Sequence, residues 1–183
     1  MFPLVLTGLF TALIFAVTAW LPRIPVGTGY VHLGDTVSYL AASILPLPLS
    51  AVAAGLGATL ADVTTGYAQW APFTLVIKVL MVLAFTAHRA KLLCGRNIIA
   101  VTVAIPVTVA GYYVAAWLLT GSMIAPLAEV LGNVVQAGLS MVIYLIIANR
   151  LDKLSFKTRA VALPIYEEDA VSHPSQEQET TPH

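Results

Sequence analysis

Runs of apolar residues separated by short polar breaks fill the chain up to about position 150: 4–21, 33–45, 49–65, 71–87, 98–119 and 126–149. A helix needs about 20 apolar residues to cross a bilayer, or somewhat fewer when it is short or packed. The second run is too short to cross alone at full thickness. Pro46-Leu47-Pro48 separates it from the third run and forces a tight break, because proline cannot continue a helix. The pattern predicts an all-α membrane protein, a bundle of six transmembrane helices over residues 1–154. Residues 155–183 are expected to form a polar cytoplasmic tail; from Pro164 they carry Glu167-Glu168-Asp169 with Ser, Gln and Pro, a composition that cannot bury enough apolar surface to fold. The first run lacks a basic leader and ends in Trp20-Leu21-Pro22, so it is expected to be a retained helix and not a cleaved signal peptide.

Polar residues inside these runs are the informative exceptions. Lys78 lies in the middle of 71–87. A cation at the bilayer centre costs about 2.5–3.5 kcal/mol on insertion scales, so it faces a partner or a polar cavity and not lipid. Asp62, Glu129 and Asp35, each inside or at the edge of another run, are its candidate partners. Asp62 and Lys78 flank the turn 66–70, and the helical rise puts them roughly 7 and 12 Å below it, within reach of a lysine side chain. Two uses of such a pair stay open: a salt bridge that fixes the hairpin, or a contact to ligand from below. Glu129, Asn133, Gln136 and Ser140 share one face of the sixth run. Interhelical hydrogen bonding accounts well for Ser140; two amides near a carboxylate also suit the orientation of a small polar ligand. Asp35, three residues after His32, is expected to cap the second helix or bond to the first loop; the two residues are too few for a metal site.

Small residues form two stripes. Gly8, Ala12 and Ala16 recur every fourth residue on the first run, and such stripes let helices approach closely in lipid, either within the bundle or against another membrane protein. The third run carries Ser50, Ala54, Ala58, Asp62 and Gly66, where the carboxylate favours internal packing. Aromatics crowd one side of the expected bundle: Trp20, Tyr30, Tyr67, Trp70, Tyr112, Tyr113 and Trp117. Trp20 and Trp117 fit interfacial anchors. Tyr67 and Trp70 sit in the turn directly above Asp62 and Lys78, and aromatic walls around a few polar groups suit a flat heterocycle.

Composition agrees with the membrane reading: 58% of the 183 residues are hydrophobic and 10% charged, against about 25% charged in soluble domains, with mean hydropathy +0.86. Zero formal net charge argues against a nucleic-acid partner, and the single cysteine, Cys94, excludes an internal disulfide. No metal site or cofactor is expected, and P-loop, HExxH and GxSxG sequences are absent. Arg89, Lys91 and Arg96 follow the fourth run and Arg150, Lys153, Lys157 and Arg159 the sixth, while the remaining loops hold only Arg23. With six spans both basic clusters share one side with the N-terminus, which predicts N-in, C-in topology and places 22–32, 66–70 and 120–125 outside.

The runs Gly29-Tyr30-Val31-His32-Leu33-Gly34-Asp35, Ala61-Asp62 with Gly66-Tyr67, and Trp70-Ala71-Pro72-Phe73-Thr74-Leu75-Val76-Ile77-Lys78 resemble the membrane-embedded substrate-binding (S) components of energy-coupling factor (ECF) transporters. Gly132-Asn133-Val134-Val135-Gln136 is similar to the last helix of that family, and Ala12 and Ala16 to its first-helix docking motif. The resemblance covers about residues 4–154 and looks closest to the branch associated with hydroxymethylpyrimidine, a thiamine precursor, and with pyridoxine; riboflavin-type members are relatives. It implies a six-helix protein of the bacterial plasma membrane that captures a vitamin or precursor near the outer surface, under a gate made by the first and third outer loops. Uptake then depends on a transmembrane coupling subunit and two cytoplasmic ATPases, so the chain itself is not an enzyme. The expected ligand set is Trp70, Lys78, Asn133, Gln136, Tyr67, Glu129 and Asp62, and the expected docking set Gly8, Ala12 and Ala16. With only Arg23 as fixed positive charge outside, phosphorylated ligands are disfavoured.

Two other classes compete. An intramembrane aspartyl protease using Asp35 and Asp62 would need two carboxylates sharing a proton, but the GxGD context is missing. A stand-alone secondary transporter would be expected to show an internal repeat or paired interrupted helices, and no convincing repeat is present.

Overall fold

The computed structural model describes residues 2–21, 24–26 and 29–157. Arg23, Arg159 and the acidic tail therefore lie outside the described residues, as does the side chain of Tyr30. Six helices and one short hairpin follow in order: α1 (Phe2–Trp20), β1 (Ile24–Val26), β2 (Gly29–Val31), α2 (Gly34–Ile44), α3 (Leu47–Thr64), α4 (Ala71–Val82), α5 (Gly95–Thr120) and α6 (Leu127–Lys153). The strands pair antiparallel, with Pro25 opposite Tyr30. This hairpin occupies what the sequence reads as a plain loop; two strands of three residues are too short to show the alternation that marks a strand.

Four of the helices, α1, α3, α5 and α6, are long and apolar enough to cross a membrane. The other two are short. At 1.5 Å per residue, the 11 residues of α2 and the 12 of α4 rise about 16 and 18 Å, against a hydrocarbon core about 30 Å thick. The break between α2 and α3 falls at Leu45 and Pro46, as the proline pair requires. The fourth run does not stay helical to residue 87 as expected. Asn97 of α5 explains why: its amide oxygen accepts from the Thr86 backbone N–H (2.8 Å) and its Nδ2 donates to the carbonyls of Thr86 and Leu92 (3.0 Å each). Those backbone groups are thereby taken out of any helical ladder.

The 83–94 connector is held by further side chains. Asp152 accepts from the N–H groups of Leu92 and Leu93 at 2.7 and 2.9 Å. Lys157, buried, donates to the carbonyls of Ala87 and Arg89 at 2.7 and 2.6 Å. Beside it Tyr39 stacks on Phe85 at 5.5 Å, and Tyr144 meets both rings edge-on at 5.8 and 6.1 Å. Tyr39, Phe85, Tyr144, Met81, Val82, Leu92 and Val101 make a buried core between α2, α4, α5 and α6.

Close helix approach is set elsewhere than on the first stripe. A side chain at Gly57 of α3 would meet the Thr11 carbonyl at 2.8 Å and Ile14 Cβ at 2.9 Å on α1, so glycine is what lets those two helices touch. On α1 itself Gly8 and Ala12 are exposed and Ala16 half-buried, and a side chain at Gly8 would meet nothing within 4 Å. On α3, Ser50, Ala54, Ala58 and Asp62 are buried as expected of internal packing, whereas Gly66 has left the helix: it is exposed at φ +90°, where glycine serves the turn into α4.

Candidate functional site

One cluster of buried polar residues gathers where α2, α4 and α6 meet, at the hairpin end of the bundle. Lys78 and Asp35 are both completely buried and form an ion pair. Gln136 of α6 donates from Nε2 to Asp35 Oδ2 at 3.0 Å, and its Oε1 accepts the backbone N–H of His32 at 3.0 Å. A carboxylate only accepts and a backbone N–H only donates, so these two bonds fix which way the Gln136 amide faces. Thr36 Oγ1 donates to the Ser140 carbonyl at 3.2 Å, and His32 Nδ1 accepts from the Gly34 N–H at 3.0 Å. The strand that ends at Val31 is thus tied through one carboxamide to the buried ion pair.

On the other side of Lys78 lies an aromatic wall. Trp70, Thr74 and Lys78 recur every fourth residue, all buried, and face Tyr112 of α5. Lys78 Nζ sits 5.4 Å from the Tyr112 ring centroid, a cation–π distance. The Tyr112 and Thr74 hydroxyls are 3.3 Å apart. Trp70 and Tyr112 ring centroids are 6.0 Å apart at 56°, and Tyr67, Phe73, Ala115 and Ala116 pack around them. Towards the opposite end of the bundle the Tyr39–Phe85–Tyr144 cluster closes the interior with rings. A self-neutralised ion pair, an oriented amide and aromatic faces can hold and orient a small polar ring, and nothing in the set is arranged as a nucleophile with its base.

Residues 2–153 match the family model described as ECF-type riboflavin transporter, S component. The chain belongs to this family. It is similar to a Pyrococcus woesei protein described as "Uncharacterized protein in gap 3'region", 36% identical over 124 residues that cover 66% of this chain and 82% of that one. Membership makes the chain a membrane-embedded, multi-pass subunit of a vitamin transporter that binds substrate and works with an ECF module, and not an enzyme.

Within this S component the residues expected to bind ligand are not all brought together in the way the sequence suggests. Lys78 and Gln136 meet at Asp35. The lysine makes its ion pair with Asp35 of α2, which packs between α4 and α6; Asp62, buried across the α3–α4 turn, is an electrostatic neighbour of Lys78. Asp35 does not cap its helix: Leu33 is the N-cap residue and no side chain bonds there. Trp70 and Tyr67 share the aromatic cluster, Trp70 buried and Tyr67 half-buried. Glu129 is buried in the first turn of α6, and Asn133 is half-buried one turn further on. The sequence reading left Asp35, Thr74 and Tyr112 out of the site. Asp35 carried the same signal as Lys78, an ionisable group in an apolar run; Thr74 carried the four-residue spacing between Trp70 and Lys78.

Proposed function

We propose that this S component captures a small, flat, uncharged heterocycle at the hairpin end of the bundle and presents it to a shared transport module. The observation that carries this reading is the Lys78–Asp35–Gln136 network, buried beside the Trp70–Tyr112 wall. Because the lysine charge is already matched by Asp35, the site has no spare fixed charge there for a phosphate. Trp70, Lys78, Asn133 and Gln136 bind the ligand, with Tyr67, Glu129 and Asp62 around them. Hydroxymethylpyrimidine or pyridoxine fits such a set through ring nitrogens and hydroxyl or amino groups. Riboflavin is the second reading, favoured by the description of the matching family.

All six helices count as spans in this reading, N-in and C-in in the cell membrane, with α2 buried among longer neighbours and α4 exposed along one flank. Gly8 and Ala12, which are exposed, and the half-buried Ala16 receive the transmembrane coupling subunit, and two cytoplasmic ATPases supply the energy. Capture without independent passage is supported by the packed ring cluster of Tyr39, Phe85 and Tyr144, all buried, below the candidate site. Calorimetric titration of the purified protein with hydroxymethylpyrimidine, pyridoxine, thiamine and riboflavin tests the substrate. Binding of one of the first two is expected, weakened about 5- to 150-fold in Gln136→Leu. Tight binding of riboflavin alone selects the second reading, and binding of none of the four rejects a vitamin-sized heterocycle.

A further inference from the structure

Trp70 holds a hydrogen-bond donor that none of the described residues meets. Its side chain is 5% exposed, and Nε1 is buried with no hydrogen-bond partner among the described residues. Buried hydroxyls elsewhere in the bundle can rotate towards a carbonyl, but an indole N–H points in one direction fixed by its ring, and this ring is fixed by Tyr112, Ala115 and Ala116. The same helix face carries Thr74 and Lys78 below it, so the donor stands at the end of the polar stripe that lines the candidate site. Leaving such a donor unmet inside a folded protein is unfavourable, and natural structures rarely keep one without a use.

We propose that the Trp70 indole N–H donates a hydrogen bond to the substrate, and that this bond, beyond the stacking surface of the ring, selects which heterocycles are taken. The inference rests on the capture reading above. Indole nitrogen donates and never accepts. The substrate atom that meets it is therefore a carbonyl oxygen, a hydroxyl oxygen or an unprotonated ring nitrogen. A ring that presents only C–H or N–H at that edge leaves the donor as unmet as it is in the free protein and so binds more weakly than one that accepts from it. Lys78, Gln136 and Trp70 together then describe a ligand with acceptors on its edge and no net charge.

Trp70→Phe keeps an aromatic ring and deletes the donor. Binding of hydroxymethylpyrimidine, pyridoxine and riboflavin to wild type and to this variant is measured by calorimetry, with folding checked by size-exclusion in detergent. The expected result is a loss of about 5- to 150-fold for whichever probe binds wild type. A ring analogue of that probe in which the acceptor nitrogen or carbonyl is replaced by carbon should bind wild type as weakly as it binds Trp70→Phe. Equal affinity of the intact probe for both proteins overturns the indole bond while leaving capture standing; binding of none of the three to wild type removes both. Should Trp70→Phe fail to fold, wild-type protein with 15N-labelled indoles decides, its Trp70 signal assigned by elimination with Trp20→Phe and Trp117→Phe. A downfield move of that proton on saturation with the probe supports the bond, and a resonance unmoved at saturation overturns it.

Discussion

Removing one partner from a fully buried ion pair leaves the other charge stranded. Lys78→Met leaves the Asp35 carboxylate with the Gln136 amide and the nearby His32 but without its ammonium, and Asp35→Asn leaves a buried ammonium facing an amide. Breaking such a pair costs about 3–5 kcal/mol, whereas replacing both members by apolar residues of similar volume is often neutral. Thermal unfolding in detergent is therefore expected to fall sharply for Lys78→Met and to recover in the Asp35→Leu/Lys78→Met double variant, which should still fail to bind substrate. A double variant as unstable as the single one would mean that packing, and not charge, holds this junction. At this scale the sequence showed that Lys78 needs a partner, but not which one. Asp62 lies 16 residues away across one turn, whereas Asp35 is 43 residues away and reaches Lys78 only because α2 is inserted between α4 and α6.

Among the elements, the long helices were legible from apolar length and the α2–α3 break from its prolines, but the end of α4 was not. Nothing in the run 71–87 forbids helix, and the cause sits on another element, where Asn97 occupies the Thr86 backbone. Non-helical backbone at membrane depth is tolerated only where protein or a polar cavity satisfies it. Asn97→Leu removes those bonds together and is expected to cost about 1–3 kcal/mol for each buried group left unmet. Hydrogen exchange should rise selectively over 84–93, and unchanged protection there would show that Asp152 and Lys157 hold the connector without it. The α1 stripe was legible as small residues, yet its direction became plain only with Gly57 occupying the α1–α3 contact. Ala12→Trp is expected to leave substrate binding by the isolated protein unchanged while assembly with the coupling subunit, measured by co-purification, is lost. Loss of binding with the complex intact would return the stripe to internal packing.

For the whole molecule, the two ends differ in kind. The hairpin end carries the turn 66–70 and the aromatic wall; the other carries Arg89, Lys91, Arg96, Arg150 and Lys153, all exposed. The positive-inside tendency makes the basic end the one expected on the cytoplasmic side. In a Cys94→Ser background, a membrane-impermeant thiol reagent applied to intact cells is expected to label Gln69→Cys and to spare Lys91→Cys; the reverse pattern would turn the site inward. The shortness of α4 matters to the surrounding lipid as well. Its outward residues Leu75, Val76, Leu80 and Leu83 are exposed, and beyond them the chain turns into the polar segment His88–Arg89–Ala90–Lys91. Acyl chains beside that flank meet an apolar wall about 18 Å tall, whereas those beside α5 meet one of about 39 Å. The annulus is therefore uneven: the leaflet on the basic side must thin along one flank or admit snorkelling lysine and arginine there, and the bilayer's own thickness becomes a term in how this protein stands and tilts in it.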